Sequence, residues 1–124
     1  VLAWVVAISI LSSMSPSELH RITTVQMWDK AEHFLAFAAG AANLALVVRW
    51  STAWPPARVA LVAILAIAFF GAIDEIHQLF TPGRSGGDPF DWIADTLGAA
   101  AGAGATLLFH VRRSHSRVLA PAGD

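Results

Sequence analysis

Arg58–Phe80 reads RVALVAILAIAFFGAIDEIHQLF. No charge interrupts it from Val59 to Ile73, and then Asp74, Glu75 and His77 arrive together. At 1.5 Å per residue such a run crosses a hydrocarbon core of about 30 Å. Two carboxylates within its last turn and a half are expensive there. Insertion scales put an ionisable group at about 2.5–3.5 kcal/mol at mid-bilayer and less toward the interface, so these acids must face other protein. This stretch alone predicts a membrane-spanning helix with a polar site at one end.

Working outward, Trp28–Val48 and Phe90–Val111 are of similar length, with charge near their ends. Val1–Leu11 is too short, reaching about 14 residues if extended through Met14. Of the 124 residues, 56% are hydrophobic and 14% charged, with a mean hydropathy of +0.58. A soluble domain carries about 25% charged residues. The expected fold is an all-α membrane protein: four transmembrane helices, the first short or truncated, in an antiparallel bundle. One domain covers residues 1–124, with spans at about 1–14, 28–48, 58–80 and 90–111 and a tail at 112–124. The start at Val1 rather than Met suggests a trimmed or alternative start, and a signal peptide would need a basic segment that is missing before Arg21. A net charge of −1 and a pI near 6.5 exclude a basic nucleic-acid-binding domain, and the absence of cysteine excludes a disulfide scaffold.

The connections carry turn chemistry. Ser12–Ser17 reads as a breaker cluster, Pro55-Pro56 divides the second and third spans, and Thr81–Gly87 turns between the third and fourth. Pro82 and Gly83 shape that turn, while Asp88 reads as the N-cap ahead of Pro89 at the first helical position. Trp28, Trp50, Trp54 and Trp92 fall at span ends, as in an aromatic belt. Arg49 and Arg58 share one side with Arg112, Arg113 and Arg117, which the positive-inside rule makes cytoplasmic, with both termini. Arg21, Lys30 and Arg84 then lie outside beside Glu18, Asp29, Glu32, Asp74, Glu75, Asp88, Asp91 and Asp95.

Helical spacing orders these acids. Asp29 and His33 share a face at i,i+4, as do Asp74, His77 and Gln78 near the end of the third span. Asp91 and Asp95, also i,i+4, are like charges that require a bound metal, a shared proton, or Lys30 and Arg84 folded over them. All three groups reach one membrane level. Asp74 and Glu75 are adjacent, roughly 100° apart around the helix, so they cannot both face one small site equally.

Three blocks resemble the VanZ-like membrane proteins. Asp29-Lys30-Ala31-Glu32-His33-Phe34-Leu35-Ala36-Phe37 is similar to the family's D-K-x-x-H-F-x-x-F segment. Asp74-Glu75 with Gln78 and then Pro82-Gly83-Arg84 resembles its second segment, and Asp91-x-x-x-Asp95-Thr96-Leu97-Gly98 its last helix start. Asp95 stands where many relatives carry Asn. The resemblance implies a bacterial cell-envelope membrane protein of a family whose named member is associated with resistance to the glycopeptide antibiotic teicoplanin. It also implies that Glu75 with Gln78 is the inward pair of the third span, and it implies no reaction.

The candidate roles follow from side-chain chemistry. His33, oriented by Asp29, and Glu75 are the candidate proton-moving groups; Arg84, Lys30 and Gln78 the candidate substrate contacts; Asp91 and Asp95 the candidate ligands of a divalent metal. Competing structural roles are a helix-start carboxylate on a histidine, a snorkelling Lys30 and an Arg84 ion pair with Asp88 or Asp91. Gly98 and Gly102 permit close helix approach, and Asn43 an interhelical hydrogen bond. Neither a recognisable nucleophile turn nor a glycine-rich nucleotide loop occurs. Two functions remain open. One is acid–base or metal-assisted chemistry on a phosphate- or sugar-bearing lipid headgroup. The other is non-catalytic binding of a membrane lipid or lipid-linked cell-wall precursor. Ion- or proton-coupled transport ranks below both, since four short helices would need a homo-oligomer.

Overall fold

Capping residues and prolines decide where the helices start. Pro56 opens α4 (Pro56–Gln78) and Pro89 opens α5 (Pro89–Val118), each at a position where the missing N–H leaves no hydrogen bond unmade. Asp88 caps α5 as expected, its Oδ1 accepting the Phe90 N–H at 2.8 Å. Ahead of these come α1 (Leu2–Ser12), a short α2 (Pro16–Ile22) and α3 (Asp29–Ser51). The computed structural model describes residues 1–22 and 29–118, with side chains described through Val111. Trp28 of the aromatic belt and the basic side chains of 112–117 lie outside the described residues.

Three helices are long and apolar enough to cross a membrane: Asp29–Ser51, Pro56–Gln78 and Pro89–Val111. The first apolar stretch forms the shorter α1, 11 residues long. All described elements are helical. Within the expected breaker cluster stands α2, because Ser15-Pro16-Ser17-Glu18 is a capping box: the Ser15 N–H and hydroxyl both donate to Glu18 Oε2 at 2.7 Å. Those two bonds hold the Glu18 carboxyl below its ordinary range. The third span ends at Gln78 rather than Phe80. The chain then tightens into turns, with Phe80 and Thr81 N–H groups reaching the His77 and Gln78 carbonyls. Gly83 and Gly87, at φ 79° and 77°, occupy the left-handed region that this reversal needs. Asp74 and Glu75 consequently sit about one turn from the helix end. Helices α3 and α5 run further than expected, to Ser51 and Val118.

The tightest packing joins α3 to α5, and their contacts advance in the same direction. Lys30 meets Asp91, His33 meets Asp95, Phe34 meets Gly98 and Ala38 meets Gly102. The two helices are therefore parallel neighbours, and α4, packed against both, brings its C-terminal end back to their starts. Glycine makes this approach possible. A Cβ at Gly98 would lie 2.2 Å from the Phe34 carbonyl oxygen, and one at Gly102 would lie 2.0 Å from that of Ala38. Membrane helices gain little from hydrophobicity against lipid, so such close van der Waals contact between small residues is what holds them. Ala41, Ala45, Ala63, Ala99 and Ala103 continue the small-residue core around Phe37, Val59 and Ile67. The short α1 leans on this unit through Trp4, whose indole N–H donates to the Ala36 carbonyl at 2.9 Å and whose ring meets Phe37 edge-on.

Candidate functional site

The first turn of α3 carries Lys30, whose ammonium group donates to Asp88 Oδ2 at 2.7 Å and to Asp91 Oδ1, with Asp29 at 3.7 Å. Asp91 is buried, whereas Asp88 lies just ahead of the membrane-spanning part of α5. The Lys30 ammonium, together with the Phe90 N–H, holds the Asp88 carboxyl below the usual carboxylate range. One turn further along α3, His33 Nδ1 lies 2.9 Å from Asp95 Oδ1, and the imidazole stacks against Phe37 with 12° between the rings. Asp95 is fully buried at 0% exposure. Space for its carboxylate comes from Gly71 on α4, where a Cβ would stand 2.8 Å from Oδ2. Lys30 and His33 thus divide the two like-charged aspartates between them. Asp29, expected to orient His33, has a largely exposed side chain and approaches Lys30 instead.

The two acids of α4 are both buried and serve different neighbours. Asp74 Oδ2 accepts from the Ser12 hydroxyl at 2.8 Å and from Gln78 Nε2 at 2.9 Å. Glu75 Oε2 accepts the Asp88 N–H at 3.0 Å, while its Oε1 is buried without a partner among the described residues. Gln78 therefore joins Asp74, its i−4 neighbour, rather than Glu75. Arg84 meets neither Asp88 nor Asp91: its Nε donates to the Met14 carbonyl at 3.1 Å and an Nη to that of Leu11 at 2.9 Å. Its guanidinium thereby ties down carbonyls at the end of α1, that of Leu11 being shared with the Met14 N–H. Thr81 completes this clasp by donating to the Ser12 carbonyl. Ser12 and Thr81 are site residues that the sequence reading missed. Both stand in segments that read as turns, where a hydroxyl carries no signal of a distant partner.

These side chains surround a cavity of about 120 Å³ between α1, α3 and α4. Asp29, Glu32, His33, Asp74, Gln78 and Arg84 form its polar wall, and Phe37 and Ile8 belong to its apolar one. Two overlapping trios have donor atoms all within 4.8 Å of one another: His33, Glu75 and Asp95, and Asp29, His33 and Asp91. Asp95 of the expected metal pair belongs to the first trio, and Asp91 to the second, where it is already bonded to Lys30. Pro82 and Gly83 lie exposed in the turn that carries Arg84.

Three long apolar helices enclosing a buried network of carboxylates, imidazole and ammonium define a multi-helix membrane protein with a polar site near one end of its bundle. Residues 2–110 match the family model VanZ/LLP1, and the chain belongs to that family. The VanZ-like resemblance of the three sequence blocks is thereby borne out. No curated protein and no solved structure matches the chain.

Proposed function

We propose that this chain binds, in the cavity between α1, α3 and α4, a membrane lipid or lipid-linked cell-wall precursor by its headgroup, through hydroxyl or ammonium donors. One observation carries this reading. Lys30 and Arg84, the two cations suited to a phosphate, are already engaged by Asp88 and Asp91 and by the carbonyls of Leu11 and Met14. The cavity wall is left rich in acceptors, with Asp29, Glu32, Asp74 and Gln78 about it. Carboxylates repel a bare phosphate but accept hydrogen bonds from sugar hydroxyls and charge-assisted ones from an ammonium group.

In this reading four helices sit in the cytoplasmic membrane of a bacterium. The Arg49–Arg58 connection and the C-terminal arginines face the cytoplasm, and the site faces the other side. Holding a lipid-linked precursor there would lower its access to a glycopeptide, which is the route by which such a site bears on resistance. The His33–Asp95 pair favours a second reading, acid–base chemistry on the bound headgroup, because His33 reaches the cavity with its other face held by a buried carboxylate.

Native mass spectrometry of the protein in nanodiscs tests the binding. Phosphatidylethanolamine and a glycosyl-diacylglycerol are retained about tenfold over phosphatidic acid, equivalent to about 1.4 kcal/mol. Asp29→Asn with Glu32→Gln removes that preference. Equal retention of phosphatidic acid, or a preference untouched by the double substitution, refutes the proposal. Headgroup turnover that disappears in His33→Ala while binding persists selects the catalytic reading.

A further inference from the structure

Two carboxylate oxygens buried between the helices near one end of the bundle have no partner among the described residues. Glu75 Oε1 and Asp95 Oδ2 are both buried and accept no hydrogen bond among the described residues, and their side chains are 5% and 0% exposed as whole residues. Such a group forfeits several kcal/mol in a medium without water. Both flank His33, and one donor atom from each of the three residues lies within 4.8 Å of the others. Three helices contribute one residue apiece: His33 from α3, Glu75 from α4 and Asp95 from α5.

We infer that His33, Glu75 and Asp95 form a binding site for a divalent first-row transition metal such as zinc or manganese. The donor set, one imidazole and two carboxylates, suits these ions better than calcium or magnesium, which take oxygen ligands. A doubly charged cation balances both carboxylates beside a neutral imidazole, and Lys30 cannot do this because Asp88 and Asp91 already hold it. The spacing fits as well. The donor atoms of the trio lie within 4.8 Å of one another, and the hydrogen bond of His33 Nδ1 to Asp95 Oδ1 already aims the imidazole at the carboxylate it would share an ion with. Gly71 supplies a further, independent sign: any side chain there would press on Asp95 Oδ2. The backbone of α4 is thus kept bare where this carboxylate must sit.

The overlapping trio Asp29, His33 and Asp91 makes the weaker site, since Asp91 is bonded to Lys30 and Asp29 faces solvent. The inference concerns the cation alone and stands independently of whether the adjoining cavity takes a lipid headgroup.

Metal content decides it. The full-length chain is purified in detergent with a non-histidine tag, stripped with chelator, then exposed separately to zinc and to manganese and desalted. Elemental mass spectrometry then counts bound ions, and thermal unfolding is recorded with and without metal. The wild-type protein retains one ion per chain, and its midpoint rises in the presence of that ion, because a ligand of the folded state stabilises it. Glu75→Gln and Asp95→Asn each lose the ion and the shift, in preparations that remain monodisperse and helical. Asp29→Asn, which removes a ligand from the overlapping trio alone, retains it. Wild-type protein that takes up neither metal overturns the inference without recourse to any variant. So does retention by Glu75→Gln and Asp95→Asn, or loss in Asp29→Asn alone. None of these readouts involves a lipid, so failure here leaves the headgroup reading standing, and failure there leaves this one.

Discussion

Replacing Gly102 by alanine tests whether the closeness of α3 and α5 organises the site. The added Cβ would stand 2.0 Å from the carbonyl oxygen of Ala38 and 2.7 Å from its carbon, both backbone atoms that cannot rotate away. Carbon–oxygen contacts are comfortable at about 3.3–3.6 Å, so the helices must separate locally by more than about 1 Å. Overpacking of this kind costs about 1–3 kcal/mol. The separation is also transmitted along the parallel pair toward the hydrogen bond of 2.9 Å between His33 and Asp95, which a displacement of that size would break. Gly98→Ala, at 2.2 Å from the Phe34 oxygen, acts nearer the site, whereas Gly104→Ala meets nothing within 4 Å and provides the control. Thermal unfolding in a mild detergent, combined with the nitrogen shifts of His33, reads both effects. The expected order of midpoints is wild type equal to Gly104→Ala, with Gly98→Ala and Gly102→Ala well below. If Gly102→Ala unfolds with Gly104→Ala and its imidazole signals are unmoved, the packing argument is wrong.

Lys30→Met strands the buried Asp91 carboxylate and lowers stability by about 3 kcal/mol, the low end for a broken buried pair because Lys30 retains some contact with solvent. Adding Asp91→Asn recovers much of the loss in a double-mutant cycle, and a strictly additive result contradicts the pairing. Arg84→Met removes the guanidinium from the Met14 carbonyl and leaves that of Leu11 with the Met14 N–H alone, at a cost of about 1–2 kcal/mol. Amide exchange should then accelerate in α1 and leave α5 unchanged. Asp88→Asn keeps the cap on the Phe90 N–H but loses the ion pair with Lys30. Because the folded-state carboxyl lies below its ordinary range, the wild type's advantage is complete above that range and fades as pH falls through the lowered value. Urea unfolding from neutral pH downward measures this, and an advantage that grows on acidification refutes it.

The long helices are legible because the bilayer imposes a length and an apolarity that few other structures need. Asp88-Pro89 and the glycines of α5 are equally readable, being local chemistry with few alternative meanings. The site is legible only as a membership list. Spacing within α3 pairs Asp29 with His33 on one face, and spacing within α5 does the same for Asp91 and Asp95, yet pairing is decided between helices. Whether Lys30 selects Asp91, and His33 selects Asp95, depends on the close parallel approach of α3 and α5, which the motif Gly98-x-x-x-Gly102 permits without naming its partner. Arg84 illustrates the same limit: its targets are backbone carbonyls some seventy positions away, invisible to any side-chain pattern. The short α2 is different, since its capping box, Ser15 to Glu18, is present in the sequence and is masked by the surrounding serines.

The side-by-side arrangement of α3 and α5 also sets an order of assembly. Of the three long helices, a chain that enters the membrane from its N-terminus delivers α3 first, with Lys30 and His33 near its leading turn, and α4 next, with Asp74 and Glu75. Their counterparts Asp88, Asp91 and Asp95 come last, after more than fifty intervening residues. Until α5 arrives, the cation and imidazole of α3 have Asp29 and Glu32 of their own first turn and the acids of α4 beside them, but none of the carboxylates they pair with in the finished bundle. The final helix therefore supplies the specific partners of Lys30 and His33 as well as completing the bundle, and a chain stopped before Asp88 would hold both side chains without them.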